Sequence, residues 1–179
     1  LAACFTSWDL VVEGEVPEGR DYLVDFGKQR SHCNVLLNER NQGYAYSNNR
    51  ASELASGSHL LFLNNDTELT PGWLEPMVAA FSSRKRRGIG ICGNVQRRPS
   101  DGGIDHAGVF INSRGKPDHL QFDPAKAIPR TAYSERLAAT GACLMIPRAL
   151  FNQAGCFGSE FLNGGEDMDL NFKIGRAHV

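Results

Sequence analysis

Short apolar runs rich in leucine, isoleucine and valine alternate along this chain with stretches whose apolar or small residues recur at helical spacing. That alternation is the mark of βαβ units built around one sheet. Asp9-Leu-Val-Val12 and Asn34-Val-Leu-Leu37 read as the first strands, with Tyr22, Leu23 and Phe26 marking a short helix between them. Ala45, Asn48, Ala51 and Ala55 give a small-residue helix face over Tyr44 to Ser56, ahead of the buried strand Leu60-Leu-Phe-Leu63. Thr70 and Pro71 predict a helix start, with Trp73, Met77, Val78 and Phe81 as its buried stripe and the basic run Arg84 to Arg87 as its solvated end. Further strands are expected at Ile89 to Val95 and Ala142 to Ile146, and helices near Ser134 to Ala138, from Pro147 to Ala154 and from Glu166 to Lys173. Pro99 to Asp123, rich in Gly, Asp and Ser, reads as irregular.

A length of 179 residues, 41% of them hydrophobic, allows one packed core, and 19 basic against 20 acidic residues leave a net charge of −1. Such a balance supplies no basic field for nucleic acid, and no apolar run approaches the roughly 20 residues of a membrane span. The five cysteines form no CxxC pair and read as small buried hydrophobes in a reducing compartment. The final Ile174-Gly-Arg-Ala-His-Val179 interrupts a helical pattern and reads as a non-native tail, so His178 is given no role. The expected organisation is a single domain over residues 1–173 that lacks a first strand and a C-terminal end.

Ligands of open α/β sheets sit beyond the carboxyl ends of the strands, which directs attention to three loops. Asn64-Asn65-Asp66-Thr67 follows the Leu60 strand. An acid with flanking amides there is either a plain turn or a seat for a divalent cation that shares phosphate oxygens with its ligand. Asn38 to Gly43 leads into a helix whose free N–H groups suit a phosphate, without the GxGxxG or GxxxxGK[ST] patterns of dinucleotide or P-loop folds. Asn163-Gly-Gly-Glu-Asp-Met-Asp169 places acids at a helix start. Asp167 and Asp169 do not share a face, so Asp169 is expected to pair with Lys173, leaving Glu166 and Asp167 as either a catalytic base or capping acids. His106 and His119 lie in the irregular region and are read as loop hydrogen-bonding groups. Trp73 reads as core, and Phe161 as either core or a sugar-stacking ring.

Three segments together, NERNQGYAYSNN, LLFLNNDTELTPGWLE and TGACLMIPRALFNQAGCFGSEFLNGGEDMDL, resemble in order and spacing the GT-A-fold glycosyltransferases of family two, a group that includes rhamnosyltransferase-like enzymes of cell-surface polysaccharides. IDHAGVFI occurs in a subset of them. The resemblance implies an α/β, Rossmann-like nucleotide-sugar-binding fold with a mostly parallel central sheet flanked by helices. It implies an inverting transfer from a UDP-, dTDP- or GDP-sugar to a hydroxyl of a glycan, lipid-linked or protein acceptor. Asp66 and Asn64 stand where the family's DxD motif holds Mg2+ or Mn2+, with Asn64 replacing the first acid. Glu166-Asp167 matches the acidic pair, with Asp167 as the base. Asn41, Gly43, Asn49, Asn65, Gly141, Ala142 and Gly165 match nucleotide-sugar-facing positions, and Glu13 stands in the place of a base-contacting acid. A cytoplasmic or membrane-peripheral location follows from where nucleotide sugars are made. Two other readings remain: a non-catalytic nucleotide-sugar or glycan-binding domain, and a glycoside hydrolase, which also pairs carboxylates but has no use for a metal–diphosphate site.

Overall fold

The computed structural model describes residues 8–12, 17–82, 88–121, 133–161, 164–175 and 177–178. Glu13, the basic run Arg84 to Arg87 and Asn163 lie outside them. The elements run β1 (Trp8–Val12), α1 (Pro17–Lys28), β2 (Cys33–Leu37), α2 (Tyr44–Leu54), β3 (His59–Leu63), α3 (Leu74–Ser82), β4 (Ile91–Gly93), β5 (Gln96–Arg97), β6 (Ile104–His106), β7 (Val109–Ile111), β8 (Pro117–His119), β9 (Glu135–Arg136), β10 (Cys143–Pro147), α4 (Arg148–Gln153), α5 (Glu166–Ile174) and β11 (Ala177–His178).

The centre is a sheet ordered β3-β10-β4-β11-β9, and its side chains explain why β3 and β10 read as continuous apolar runs. On β10, Leu144 and Ile146 join one cluster with Leu60 and Phe62 of β3, Ala45 of α2, Phe151 of α4 and Leu170 of α5. Cys143 and Met145 point the other way, into a cluster with Leu74, Met77 and Ala80 of α3. Successive residues of a strand face opposite sides, so a sheet covered by helices on both faces needs apolar residues at every position.

Strand direction departs from the expected mostly parallel sheet. β1 pairs with β2 in parallel, and β11 with β4, but β10 runs antiparallel to both β3 and β4, and β11 antiparallel to β9. Residue pattern reports which faces are buried, not which way a neighbour runs. The 177–178 segment of the expected tail contributes the parallel partner of β4.

Three local elements differ from the expectation. The third helix begins at Leu74 rather than Pro71, because Gly72 sits at φ +75°, a left-handed conformation that stops a helix propagating from Pro71. The expected helix near Ser134 to Ala138 is instead the strand β9 followed by an antiparallel bridge from Ala138 to Val109. The region from Pro99 onward contains β6 and the β7–β8 hairpin, where Asn112 and Gly115 make the turn. These strands are three residues long, too short to show a period of two.

Candidate active site

The two-residue turn Gly141–Ala142, just ahead of β10, is where three loop-to-element junctions meet. The Gly141 N–H donates to Asp167 Oδ2 at 2.8 Å, and the Gly141 carbonyl accepts from the Tyr44 hydroxyl at 2.7 Å. The Ala142 carbonyl accepts the Asn64 N–H at 2.9 Å. One short turn is thereby tied to the start of α2, the end of β3 and the start of α5, so that the three loops singled out by sequence converge.

Each junction is set locally. At α2, Asn41 Oδ1 accepts the Gly43 N–H at 2.8 Å, closing a tight turn that delivers Tyr44 to the first helical position. Tyr44 also stands edge-on to Phe157, with ring centroids 5.5 Å apart. Burial, with Asp167 and Glu166 adding to it, pushes its phenol well above the ordinary value, so the hydroxyl stays protonated and remains a donor to Gly141.

After β3, the Thr67 hydroxyl donates to the Asn64 carbonyl at 2.7 Å and holds the Asn64–Thr67 turn closed. Asn65 and Asp66 are exposed on it, and Asp66 has no hydrogen-bond or ion-pair partner among the described residues. No group of three or more His, Cys, Asp or Glu residues forms a metal cage among the described residues. An unengaged carboxylate flanked by amides nevertheless fits a hard cation that takes one or two protein oxygens and completes its shell with phosphate and water.

At α5, Gly165 precedes the first helical residue at φ +107°, and a Cβ there would stand 2.9 Å from the Phe161 ring. Glycine both allows the turn and lets Phe161 lie against it. Asp167 Oδ1 accepts the Met168 N–H at 2.7 Å, so both carboxylate oxygens bond backbone N–H groups while each keeps a second lone pair. Glu166 is only 7% exposed, and its Oε2 has no hydrogen-bond partner among the described residues. Asp169 pairs with Lys173 at 2.6 Å, as its spacing predicts. Asn171, buried on the same helix, exchanges two hydrogen bonds with the Ala139 backbone at 3.1 and 3.0 Å, fixing α5 beside the segment that leads to Gly141.

Asn49 makes its side-chain hydrogen bonds elsewhere than on the Gly141–Ala142 turn. Its side chain exchanges hydrogen bonds of 2.9 and 3.0 Å with the backbone of Phe157, so both its polar ends join α2 to the loop after α4. Tyr44, Asn171 and Asn38 escaped the sequence reading. Asn38, buried at the end of β2, donates to Ser47 at 2.8 Å and accepts from Arg50 at 2.7 Å, which docks α2 on β2. An asparagine directly after a strand was the available signal. Nothing local marks Tyr44, whose partner is 97 positions away.

The chain's sequence matches the model of glycosyl transferase family 2 over residues 11–155. It is 32% identical over 138 residues to the O-antigen biosynthesis protein RfbC of Myxococcus xanthus, an alignment covering 73% of this chain and 10% of that protein. It is 31% identical to the uncharacterized protein y4gI of Sinorhizobium fredii over an alignment of 183 positions, covering 97% of the chain and 20% of that protein. The chain thus spans a tenth to a fifth of the length of these curated relatives. Among solved structures it superposes on GalNAc-T7 with UDP, GalNAc and Mn2+, at a TM-score of 0.74, 18% identity and coverage of 97% of this chain and 36% of that one. It also superposes on the mannosyltransferase PcManGT of Pyrobaculum calidifontis in complex with GDP-Man and Mn2+, at a TM-score of 0.61, 15% identity, and coverage of 96% and 44%. With a family match over most of its length and the fold of these structures, the chain belongs to glycosyl transferase family 2 and has the GT-A fold.

Proposed function

We propose that this chain binds a nucleoside-diphosphate sugar at the Gly141–Ala142 convergence and transfers the sugar, with inversion, to a hydroxyl of a glycan, lipid-linked or protein acceptor in cell-surface polysaccharide synthesis. The observation that carries the reading is the joining of the Asn64–Asp66 turn and the Asp167 helix start through one two-residue turn. An acceptor hydroxyl is a weak nucleophile and a nucleoside diphosphate a highly charged leaving group, so the reaction needs a proton acceptor on one side and positive charge on the other. Asp167 takes the acceptor's proton through a lone pair left free by its two backbone contacts. Asp66, assisted by the Asn64 and Asn65 amides, holds Mg2+ or Mn2+. Bound there, the cation would neutralise the departing diphosphate. Glu166, Asn41, Gly43, Ala142 and Gly165 shape the donor pocket around it. The Mn2+ in both superposed structures, and the UDP in one and GDP-Man in the other, support a metal-dependent donor site. No helix among the described residues is long and apolar enough to cross a membrane. Action in the cytoplasm or at its membrane face is inferred from where nucleotide sugars are made.

A second reading, donor binding without turnover, is favoured by Asn64 in place of an acid and by the double engagement of Asp167. One calorimetric series addresses the shared donor site first: UDP, dTDP and GDP titrated into the protein with and without Mn2+, beside Asp66→Ala. Metal-dependent binding is expected, weakened at least about tenfold in the variant, since loss of one charged oxygen ligand removes more than about 1.4 kcal/mol of affinity. Binding indifferent to both metal and Asp66 overturns the site. Sugar transfer then separates the transferase from the binding module.

A further inference from the structure

The strands between β4 and β9 carry a second cluster that the site above does not use. β6 and β8 bring His106 and His119 side by side, with their Nδ1 atoms 3.4 Å apart and ring centroids 4.8 Å apart. His106 is fully buried and His119 exposed, so the pair spans the edge of the protein and is open to solvent from one side.

The separation is informative. Hydrogen bonds from N–H donors settle near 2.9–3.0 Å, and 3.4 Å is long for one. Two imidazole nitrogens held by one tetrahedral ion at about 2.0–2.1 Å each stand about 3.3–3.4 Å apart. The other ring nitrogen of His106, Nε2, is buried with no hydrogen-bond partner among the described residues, so the polar outlet of this ring is Nδ1, toward His119.

The frame behind the pair is tied together by hydrogen bonds. The Ala107 N–H bonds the Leu120 carbonyl at 3.0 Å, and the Leu120 N–H bonds the Gly108 carbonyl at 2.9 Å. Arg136 Nε holds the Ala107 carbonyl at 2.9 Å. Gln96 stands opposite His106 in the β5–β6 register, which puts a neutral oxygen donor on the neighbouring strand. With no third His, Cys, Asp or Glu grouped there among the described residues, the remaining coordination positions fall to water or an incoming ligand.

We propose that His106 and His119 form a two-imidazole seat for a borderline divalent transition ion such as Zn2+. The seat differs in ligand class from the oxygen site at Asp66, because imidazole suits Zn2+, Ni2+ and Cu2+ whereas carboxylate and carbonyl oxygens suit Mg2+ and Mn2+. The consequence is mechanical: β7 bridges Ala138 through Val109, so an ion at this seat braces the segment that runs on to Gly141.

The test is a Zn2+ titration by calorimetry of the wild-type protein, His119→Gln and Asp66→Ala, with circular dichroism confirming that each is folded. His119 is exposed, so its replacement leaves the core intact. Binding is expected to weaken at least about tenfold in His119→Gln, and to change less than about twofold in Asp66→Ala. Because the chain has five cysteines, the same series is read with Co2+, where the expected spectrum has no thiolate charge-transfer band. Equal affinity in wild type and His119→Gln, no uptake by folded wild type, or a thiolate band that His119→Gln leaves unchanged each overturns the proposal. None of these outcomes touches the donor site, which has its own titration.

Discussion

Asp167→Asn is expected to lower sugar transfer by about 10²- to 10⁴-fold, the usual contribution of a positioned base, while leaving metal-dependent nucleotide binding within a few-fold of wild type. The substitution keeps the side chain's shape and removes its charge and proton affinity. It also turns one acceptor oxygen into an NH2 group facing either the Gly141 or the Met168 N–H, each of which now bonds a carboxylate oxygen. A backbone donor left without its acceptor costs about 1–3 kcal/mol, so the variant should also unfold at lower temperature. Assays run well below its unfolding midpoint separate the two effects. Transfer within tenfold of wild type in the folded variant would remove Asp167 from the base role and leave it as a brace for the Gly141 turn.

Phe157→Ala is expected to cost about 3–5 kcal/mol of stability, measured by denaturant unfolding. Its ring is 2% exposed and lies 4.8 Å from Phe62, 5.2 Å from Phe151 and 5.5 Å from Tyr44, centroid to centroid. Removing it empties the space between β3, α4 and the start of α2, and edge-to-face contacts with three rings go with it. The Asn49 clamp survives, because it uses only the backbone of residue 157. Phe157→Leu, which refills most of the volume, should therefore lose less than about 2 kcal/mol. A loss below about 1 kcal/mol in the alanine variant would show that the ring does not anchor this core.

What could be read from the sequence was whatever short-range pattern encodes. The Leu60 to Leu63 and Ala142 to Ile146 runs were recognisable as buried strands because helices cover both faces of their sheet. The Asp169–Lys173 pair followed from spacing on one helix. The antiparallel direction of β10 did not, since the same apolar run suits either direction. The β6–β8 strands were hidden by their brevity and by the Gly and Asp residues of their turns. At the candidate site, the loops could be singled out one by one, and the resemblance grouped them. That they meet on Gly141–Ala142, with Tyr44 as the donor on the far side of the peptide, depends on contacts between residues far apart in the chain. Asn49 and Asn38 show the limit from the other direction: asparagines in suggestive places, each spent on docking α2.

The order of the strands sets a timetable for folding. Asn49 meets its partner 108 positions later, and β3 finds its neighbour only when β10 has been made. Until then the apolar stretch His59–Leu63 lacks the strand that pairs with it in the finished protein. Loop-closure entropy must be met before such distant contacts reward it, which places this domain among the slower folders. As the chain leaves the ribosome, β3 waits for residues 143–147 to pair with, and the cluster that buries Leu60 and Phe62 is completed only when Leu170 of α5 has been made.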